Sequence, residues 1–592
     1  MTLAPSLTMD QARAIADQWL ADFQGAIDGG DPAAAAALFF PDGYLRDLLA
    51  LTWDLRTFSG REAIAKALKD ILASRTISAL TQSSQRPEVF ERRRFGQTVE
   101  VFFTFDTDIA ACRGHLRLLR SDTAARPWQA WTVATSLEEL RGYPERVGAR
   151  RPVAADQGHG GVPGSVLTAA ENAAQYLTEE PEVVVIGAGQ AGLTVAARLN
   201  ALNVPTLVLE REPHVGDNWR NRYQSLVLHN QVWANHLPYL PFPASWPTYL
   251  AKDQLADWLE HYYDILGIAV WTSTSVQSGS YDPDAQRWNL TINGTDGSGK
   301  RELHPRHVVL ATGVFGIPNR TVIPGSDQFS GPFLHAADYR GSSDATGTRA
   351  LVIGSGSSAH DVAQDLALNG AEVTMLQRSS TCVVSVDPGA TRAYSIYRED
   401  GAPVDDCDLV TNAFPFPLLA DLHRDMTTKI AELDADLLRG LEAAGFATDF
   451  GDDGSGFLMK YHRTGGGYYI NTGASELIVD GTIAVKQGVE VAGISGDTVR
   501  YTDGTTARFD LIVVATGYRN MSETVRQILG DEIANRVGPI WGLDEEGEPR
   551  VMWKRTAQPG FWVCGGSLQQ CRPYSKYLAI QLKADQVGLT GA

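Results

Sequence analysis

The stretch PEVVVIGAGQAGLTVAARLNALNVPTLVLEREP, residues 181–213, decides the fold: it alternates a buried strand, a glycine-rich turn, a helix and a second strand. Gly187, Gly189 and Gly192 form G-x-G-x-x-G. The first glycine permits a tight turn, the second lets a pyrophosphate approach the backbone, and the third packs helix on strand. Glu210 ends the second strand 23 residues after Gly187, and a ribose-binding acid is expected about 20 residues on. The pattern predicts a dinucleotide site, with a glycine turn that binds nothing as the alternative.

A second glycine motif occurs in RALVIGSGSSAHDVAQDLALNGAEVTMLQRSS, residues 349–380. Gly354, Gly356 and Ala359 give G-x-G-x-x-A, and the following strand ends at Arg378 instead of an acid. An acid would repel a 2′-phosphate, whereas an arginine pairs with one. The first motif therefore suits FAD and the second NADPH. Arg378 could equally be a solvated surface charge, and NADH could bind without a phosphate contact.

Three further strand ends belong to the same pattern. Residues 307–319 and 509–520 each run from a strand into Ala-Thr-Gly, where small side chains allow close approach of a cofactor. Residues 560–586 contain a strand, glycines and a last helix. The N-terminus of that helix could face the flavin's pyrimidine oxygen and stabilise negative charge on reduced flavin.

Composition limits the kinds of function. The 592 residues predict two to four domains. A net charge of -19 argues against nucleic-acid and anionic-membrane partners. The five cysteines include no C-x-x-C pair, which favours a reducing cytoplasmic setting and provides neither a metal site nor a redox dithiol. We find no signal peptide and no apolar run long enough to span a bilayer.

The chain divides into five predicted segments. Residues 1–145 are predicted to form three helices followed by the strands VEVFFTFDT, GHLRLLRS and WQAWTVATS, and this order loosely resembles the cone-shaped nuclear-transport-factor-2-like fold. Residues 146–180 are predicted to be a linker, and residues 181–345 the first part of an FAD domain. Residues 346–480 are predicted to be an NAD(P)H domain with a helical insert at 413–446, and residues 481–592 the second part of the FAD domain. The fold class is α/β with two Rossmann-like units.

The segment FSGPFLHAADY, residues 329–339, fits F-x-G-x-x-x-H-x-x-x-Y and lies between the two glycine motifs. ATGY at 515–518 and the stretch at 223–249 complete the pattern. Over residues 182–592 the chain resembles the flavin-containing monooxygenases of the class B flavoprotein monooxygenases, including the plant indole-pyruvate enzymes. With its N-terminal extension it resembles the bacterial type II members.

The resemblance implies an enzyme that uses FAD and NADPH to insert one atom of O2 into a small organic substrate through a C4a-(hydro)peroxyflavin. The substrate is either a ketone, in a Baeyer–Villiger oxidation, or a sulfide or amine. Phe329, Gly331, His335 and Tyr339 would form a hinge between the FAD and NADPH domains, with a structured loop as the alternative. A homodimer is expected. The rival functions are an uncoupled oxidase, a flavin sensor and a disulfide reductase, the last of which needs a cysteine pair.

Two positions depart from the family pattern. Tyr339 stands where Baeyer–Villiger enzymes carry Trp, and His229, followed by Asn230, stands where many members carry Asn near the flavin. We predict His229 and Asn230 as catalytic, with a packed histidine as the alternative for His229. The N-terminal cone would form a dimer contact or roof the site; a second active site there is the less favoured alternative. The predicted cofactor-binding residues are Gly187, Gly189, Gln190, Ala191, Gly192, Glu210, Arg211, Asn218, Trp219, His229, Thr312, Gly354, Gly356, Ser357, Ser358, Arg378, Ser379, Thr516, Gly517, Tyr518 and Gln569.

Overall fold

The computed structural model describes residues 7–83, 88–92, 96–121, 127–152, 176, 179–294 and 299–590. Residues 153–175 and 177–178 of the predicted linker lie outside the described residues. Short 3₁₀ turns occur at Gly148–Arg150, Val232–Ala234, Ser326–Gln328 and Ala390–Tyr394. None of the helices in the described ranges is both long and apolar enough to cross a membrane.

The N-terminal unit is a curled sheet covered by helices. Its elements are α1 (Met9–Asp28), α2 (Pro32–Ala36), β1 (Phe39–Leu48), β2 (Leu55–Ser59), α3 (Arg61–Leu72), β3 (Ile77–Gln82), β4 (Glu88–Arg92), β5 (Gly96–Thr107), β6 (Ala110–Arg120) and β7 (Trp128–Leu140). The sheet order is β2-β1-β7-β6-β5-β3, with β4 also paired to β5. Only the β1–β7 pair among these is parallel.

The three predicted helices and the three predicted strands of this unit are present, but β1 and β2 lie between α2 and α3, where no strand was expected. The sequence of β1 contains Pro41 and Gly43, which disfavour a strand, and its pairing with β7 shifts register between Phe39 and Tyr44. Helix α1 begins with a capping box at Thr8 and buries Trp19 against the sheet.

The first nucleotide-binding unit has a parallel sheet in the order β10-β9-β8-β14-β25. This order brings β8 and β14 side by side, so that their carboxyl ends share one edge. The elements of the unit are β8 (Val183–Ile186), α4 (Gln190–Ala201), β9 (Thr206–Leu209), α5 (Asp217–Arg220), α6 (Lys252–Ile265), β10 (Val270–Trp271), β11 (Thr274–Asp282), β12 (Arg287–Gly294), β13 (Gly299–Leu303), β14 (His307–Leu310), α13 (Ser522–Val537), β25 (Phe561–Val563) and α14 (Leu568–Gln586). Strands β11, β12 and β13 form a separate antiparallel sheet.

The second unit has a parallel sheet in the order β15-β24-β16-β17-β20. Both units are thus Rossmann-like, which confirms the predicted α/β fold class. The elements are β15 (Phe333–His335), β16 (Arg349–Ile353), α7 (Ser357–Leu368), β17 (Glu372–Gln377), β18 (Cys382–Ser385), α8 (Val404–Asn412), α9 (Phe416–Leu433), α10 (Ala435–Ala443), α11 (Gly456–Thr464), β19 (Tyr468–Asn471), α12 (Ala474–Val479), β20 (Ile483–Gln487), β21 (Val491–Ser495), β22 (Thr498–Tyr501), β23 (Thr506–Arg508) and β24 (Leu511–Val514).

The predicted boundaries of the second unit at residues 346 and 480 are too narrow. Strand β15, placed by prediction in the first unit, pairs with β24, and β20 and β24 pair with β17 and β16. The chain therefore returns to the first unit only after Val514. The strands of a parallel sheet come from distant parts of the sequence. A run of apolar residues therefore does not indicate which of the two sheets its strand joins.

The insert of the second unit is helical, as predicted for residues 413–446. It contains α9 and α10, and α8 precedes it. The short parallel pair β18–β19 connects the insert to the sheet. Helix α8 contacts both the N-terminal unit and α14 of the first unit: Arg46 donates to the carbonyl oxygen of Asn412, and Arg572 donates to the carboxylate of Asp408.

Candidate cofactor and substrate site

The first glycine turn connects β8 to α4 as the motif requires. Gly187 has a φ of 109°, and a Cβ added there would stand 2.7 Å from the carbonyl oxygen of Ala311. A Cβ on Gly192 would stand 2.0 Å from the carbonyl oxygen of Gly187. By contrast, a Cβ on Gly189 would meet only the Asn218 side chain, at 3.4 Å. Gly189 also begins α4, so the turn forms a cradle for an anionic group at a helix N-terminus.

Glu210 closes this cradle from the end of β9. Its Oε2 atom accepts the N–H of Ala188 at 2.8 Å, and its Oε1 atom accepts the N–H of Glu212 at 3.0 Å. Burial raises the pKa of the Glu210 carboxyl. The predicted ribose-binding acid thus stands at the glycine turn. Arg211 is mostly exposed and pairs with Glu212 at 3.1 Å, away from the turn.

Gln190 links the N-termini of two helices. Its Oε1 atom accepts the indole N–H of Trp219 at 3.3 Å, and its Nε2 atom donates to the carbonyl oxygen of Gly566 at 3.2 Å. Gly566 immediately precedes the N-cap of α14. The N-termini of α4 and α14 therefore face the same space. Two partial positive charges meet there, which suits an anionic or electron-rich ligand.

The N-terminus of α14 is held by side chains from the second unit. The phenol of Tyr461 accepts the N–H of Ser567 at 3.1 Å and donates to Oε1 of Gln570 at 2.7 Å. Gln569, a predicted cofactor residue, donates from Nε2 to the hydroxyl of Tyr397 at 3.0 Å. Sequence reasoning missed both tyrosines, because they lie in a segment with no motif.

Three tyrosines separate the first glycine turn from the second. Tyr394 and Tyr468 lie close enough to Tyr461 to raise its pKa further, although burial is the main cause. Burial raises the pKa of Tyr468 to about 12. These phenols therefore stay protonated and act as hydrogen-bond donors at neutral pH. The tyrosine richness of residues 461–469 is the only sequence signal that could have pointed to them.

The second glycine turn is more open than the first. Gly354 has a φ of 132°, and a Cβ there would stand 2.5 Å from the carbonyl oxygen of Ala515. A Cβ on Gly356, which begins α7, would meet nothing within 4 Å. The hydroxyl of Ser357 donates to the carbonyl oxygen of Tyr468 at 3.2 Å, whereas Ser358 is partly exposed. The turn offers a helix N-terminus with free approach for a phosphate.

Arg378 follows β17 and is the predicted 2′-phosphate residue. Its side chain is 77% exposed, and its nearest ion pair is a loose contact of 3.6 Å with Glu490. Ser379 beside it is also exposed. The guanidinium is therefore free to reorient toward a phosphate, although a solvated charge would have the same geometry.

The two Ala-Thr-Gly strand ends differ. The hydroxyl of Thr312 after β14 is buried and has no hydrogen-bond partner among the described residues. The hydroxyl of Thr516 after β24 donates to the carbonyl oxygen of Asn319 at 2.9 Å, and Gly517 accepts the N–H of Asn319 at 2.9 Å. Thr312 thus fits a missing polar partner such as a cofactor, whereas Thr516 and Gly517 fasten the connection between the two units.

The fingerprint at residues 329–339 packs on the second unit. A Cβ on Gly331 would stand 2.0 Å from the carbonyl oxygen of Asp510, and Phe329 packs in the apolar cluster behind β24. The His335 ring meets the Tyr518 ring edge-on at 5.8 Å. Burial lowers the pKa of His335. The proposed hinge role of these residues stays a prediction.

Two tyrosines attach this region to one face of α7. Tyr339 donates to Oδ2 of Asp365 at 2.5 Å, and Tyr223 donates to Oδ2 of Asp361 at 2.5 Å. The two aspartates are four residues apart and share a helix face. Burial raises the pKa of Asp361 to about 6. The Tyr223–Asp361 bond was not foreseen, because no local pattern marks a contact over such a sequence distance.

His229 and Asn230 lie in the segment that precedes α6. Burial lowers the pKa of His229 to about 4, so the imidazole is neutral at pH 7. The Oδ1 atom of Asn230 is buried and has no partner among the described residues, while its side chain lies against the hydroxyl of Tyr394. Tyr394, Tyr461 and Tyr468 together form a tyrosine wall. A buried amide oxygen without a partner beside this wall suits a polar ligand atom. The structure thus places Asn230 at the wall.

The five cysteines are all described, and all are buried free thiols. Burial raises the pKa of Cys382 to about 12 and that of Cys407 to about 11. Buried, protonated thiols are poor nucleophiles and cannot act as a redox dithiol. This argues against a disulfide reductase.

A family model described as pyridine nucleotide-disulphide oxidoreductase matches residues 184–392. Indole-3-pyruvate monooxygenase YUCCA1 of Oryza sativa subsp. japonica is 31% identical over 343 residues, which cover 57% of this chain and 77% of the relative. Probable indole-3-pyruvate monooxygenase YUCCA10 of Arabidopsis thaliana is 29% identical over 346 residues, covering 58% of this chain and 82% of the relative.

Solved structures with a similar fold cover the same part of the chain. An epsilon-caprolactone-bound cyclohexanone monooxygenase aligns with a TM-score of 0.50 and 18% identity over 69% of this chain and 88% of that chain. An oxidised steroid monooxygenase bound to NADP aligns with a TM-score of 0.50 and 20% identity over 69% of this chain and 85% of that chain. At this identity the likeness concerns the fold alone.

Proposed function

Because the chain belongs to the flavin monooxygenase family of the indole-3-pyruvate monooxygenases, we propose that it uses FAD and NADPH to transfer one oxygen atom from O2 to a small organic substrate. The observation that carries this proposal is the pair of glycine turns, each at a helix N-terminus, with a wall of protonated tyrosines between them. The similarity covers 57% of the chain, and the resemblance of residues 1–145 to the cone-shaped fold remains a proposal.

The first turn fits FAD. The cradle at Gly187 and Gly189 excludes side chains, Glu210 stands where a ribose hydroxyl would bind, and the Thr312 hydroxyl lacks a partner. When bound, the flavin supplies the redox chemistry that amino-acid side chains lack: hydride acceptance from NADPH and electron transfer to O2. The α14 N-terminus would then hold negative charge that develops on the ring.

The second turn fits a nicotinamide dinucleotide. The open approach at Gly356 would admit a pyrophosphate, and the exposed Arg378 could pair with a 2′-phosphate. This supports NADPH over NADH. The strength of the preference depends on how closely Arg378 can pair with the phosphate.

The chain's own residues hold protons and exclude water at the site. The Oδ1 atom of Asn230, which has no partner among the described residues, can accept a hydrogen bond from an O–H group there, and the neutral imidazole of the adjacent His229 could donate one. The phenols of Tyr394, Tyr461 and Tyr468 line the same space with apolar rings. A reactive oxygen species survives longer when water is kept away from it. We infer that these groups favour transfer of oxygen to substrate over release as H2O2.

The substrate is either a ketone, oxidised in the Baeyer–Villiger sense, or a soft nucleophile such as a sulfide or amine. The neutral state of His229 is compatible with both, because it can donate or accept one hydrogen bond. A small organic molecule is the proposed substrate class.

The test measures how much of the NADPH that is consumed yields oxygenated product. Purified enzyme loaded with FAD is supplied with NADPH and air, first alone and then with a cyclic ketone or an aryl methyl sulfide. Consumption of NADPH, formation of oxygenated product and release of H2O2 are quantified together. Product that accounts for most of the NADPH supports the proposal. H2O2 equal to NADPH with every substrate would instead identify an uncoupled oxidase.

A further inference from the structure

Two arginines of the N-terminal unit that contact helix α8 are completely buried, and a third, Arg113 on β6, pairs with Asp406 of α8 at 2.5 Å. Arg46 on β1 is 1% exposed and Arg117 on β6 is 0% exposed. Arg46 forms a bidentate pair with Glu548, at 2.8 Å from Nε and 2.7 Å from Nη2. Arg117 pairs with Glu100 within its own unit at 3.0 Å. Burying such charges is costly unless the contacts they make are specific.

Both arginines cap the C-terminal end of α8. Arg117 donates from Nη2 to the carbonyl oxygen of Val410 at 2.9 Å. Arg46 donates from Nη1 to the carbonyl oxygens of Asn412 at 2.5 Å and Phe414 at 3.3 Å. The last carbonyls of a helix have no partner within the helix, and a positive charge there opposes the negative end of its dipole. The N-terminal unit thus completes a helix that belongs to another unit.

An aromatic contact fixes the residues that follow α8. The guanidinium of Arg117 lies 3.5 Å from the centroid of the Phe414 ring, and Trp131 meets the same ring edge-on at 6.3 Å. Leu418 of α9 packs in the same cluster. A cation over a ring in a dry setting contributes more than at the surface. The α8–α9 connection is therefore held by charge and by packing.

Helix α8 also contacts α14, the last helix of the first unit. Asp408 of α8 forms a buried bidentate pair with Arg572 of α14, with both contacts at 2.7 Å. Asp408 also accepts the hydroxyl of Tyr397 at 2.9 Å. Tyr397 in turn accepts the Gln569 amide at the α14 N-terminus. A shift of α8 would therefore move the hydrogen-bond partners of this N-terminus.

We propose that the N-terminal unit is a positioning clamp for α8, with Arg46 and Arg117 as its positioning residues. By holding the C-terminal end of α8, the clamp fixes Tyr397 and Gln569 beside the flavin site and keeps that site closed to water. It thereby sets how much NADPH oxidation is coupled to product. The part of the proposal that concerns coupling rests on the proposed function; the part that concerns α8 does not.

The experiment compares Arg117→Met with Arg56→Met in FAD-loaded full-length protein. Arg117→Met removes the Val410 contact and the Phe414 contact but leaves the Arg46–Glu548 pair. Arg56→Met is the control, because Arg56 pairs from the N-terminal unit to Glu546 of the first nucleotide-binding unit, at 2.6 Å, and contacts no carbonyl of α8 in the described residues. Arg117→Lys tests partial rescue by a charge without the guanidinium plane.

In Arg117→Met the ratio of H2O2 to product is expected to rise roughly fivefold, which corresponds to about 1 kcal/mol of lost positioning. Anaerobic reduction of the flavin by NADPH should stay within about twofold of wild type, since the second turn is untouched. Hydrogen–deuterium exchange should increase in residues 404–414 and not in α4. Arg56→Met should change none of these, and Arg117→Lys should fall between.

Equal changes in Arg117→Met and Arg56→Met, or unchanged exchange at residues 404–414 in Arg117→Met, would overturn the clamp. If Arg117→Met does not fold, Phe414→Leu removes the ring contact alone and is held to the same expectations. If wild-type enzyme releases only H2O2, the proposed function fails. The exchange experiment still decides whether the N-terminal unit holds α8.

Discussion

The two glycine turns have the same backbone plan but different surroundings. The first is closed: Glu210 bonds the turn, Gln190 ties it to α14, and a side chain at Gly192 would collide with the carbonyl of Gly187. The second accommodates Ala359 at the position equivalent to Gly192, and Arg378 at the end of its second strand is largely exposed. The difference suits one backbone plan to two uses: a cofactor that stays bound at the first turn and a cofactor that is exchanged at the second.

The largest expected effect comes from adding one methyl group to each turn. In Gly192→Ala the new Cβ would stand 2.0 Å from a backbone oxygen, and relieving such overpacking costs about 3 kcal/mol. Purified Gly192→Ala protein should therefore retain FAD more than about a hundredfold less tightly. The measurement is bound flavin per protein, from absorbance after dialysis and refilling with known FAD.

Gly356→Ala changes the second glycine of the second turn, the position equivalent to Gly189 in the first. It should keep its flavin, because the methyl group meets no protein atom within 4 Å. It should instead raise the KM for NADPH, since the methyl group occupies the approach of the pyrophosphate. Equal loss of flavin from both variants would mean that the contrast between a closed and an open turn is wrong.

The next largest effect concerns the residues that end the second strand of each motif. Arg378→Gln removes a charge-assisted contact of the kind that contributes about 1.5–3 kcal/mol. The KM for NADPH should rise about ten- to a hundredfold while the KM for NADH stays unchanged. Arg349→Gln is the control. Arg349 begins β16, at the opposite end of the sheet from Arg378, and pairs with Asp510. A parallel rise for both cofactors in Arg378→Gln would show that Arg378 is a solvated charge.

A smaller effect is expected at the two tyrosine hydrogen bonds that attach neighbouring segments to helix α7 of the second unit. Tyr339→Phe removes the donor to Asp365, and Tyr223→Phe removes the donor to Asp361. Each leaves a carboxylate short of one hydrogen bond, a cost of about 1–3 kcal/mol. Because both bonds orient α7, anaerobic flavin reduction by NADPH should slow about fivefold while flavin content stays normal.

Tyr501→Phe is the control for these two variants. Tyr501 is a buried tyrosine of the same unit whose hydroxyl has no hydrogen-bond partner in the described part of the chain. It should reduce flavin at the wild-type rate. If all three variants behave alike, loss of a phenol hydroxyl matters only through packing, and the bonds to α7 do not orient the second turn.

The two turns could be predicted from sequence because their requirements are local. Glycine spacing, a buried strand before and a helix after are all visible within about 30 residues, and so was the residue that ends the second strand. The same reasoning predicted the insert helices from their apolar spacing. A cytoplasmic location and a homodimer were expected from composition and resemblance, and both stay predictions.

What joins the units could not be predicted. The contacts Arg46–Glu548 and Arg572–Asp408 connect residues hundreds of positions apart or on different units, and no period or spacing marks them. The tyrosine wall was missed for the same reason. Strand β24 was placed in the wrong unit because a short apolar run is compatible with either sheet. Local patterns specify elements, whereas side-chain partners across units follow from the assembled fold.

The smallest expected effect separates the turns by their response to acid. His360, in the first turn of α7, is buried, and burial lowers its pKa to about 4. Burial raises the pKa of Glu210 at the first turn. Below the unfolded pKa of about 6.5 the His360 imidazole is protonated in the unfolded state but stays neutral in the folded state. The free energy of unfolding therefore falls as pH falls. For Glu210 the sign is opposite, because stability from that carboxyl is lost as pH rises.

Replacing His360 should therefore reduce the loss in free energy of unfolding that accompanies acidification. Between pH 6 and pH 5, His360→Gln should lose about 1 kcal/mol less free energy of unfolding than wild type, close to the limit of 1.36 kcal/mol per pH unit for one group. Urea unfolding of the FAD-loaded enzyme at both pH values measures the difference. Glu210→Gln should not flatten the loss. A wild-type pH slope in His360→Gln would show that this imidazole is protonated in the folded protein, and that the second turn is open to solvent as far as the start of α7.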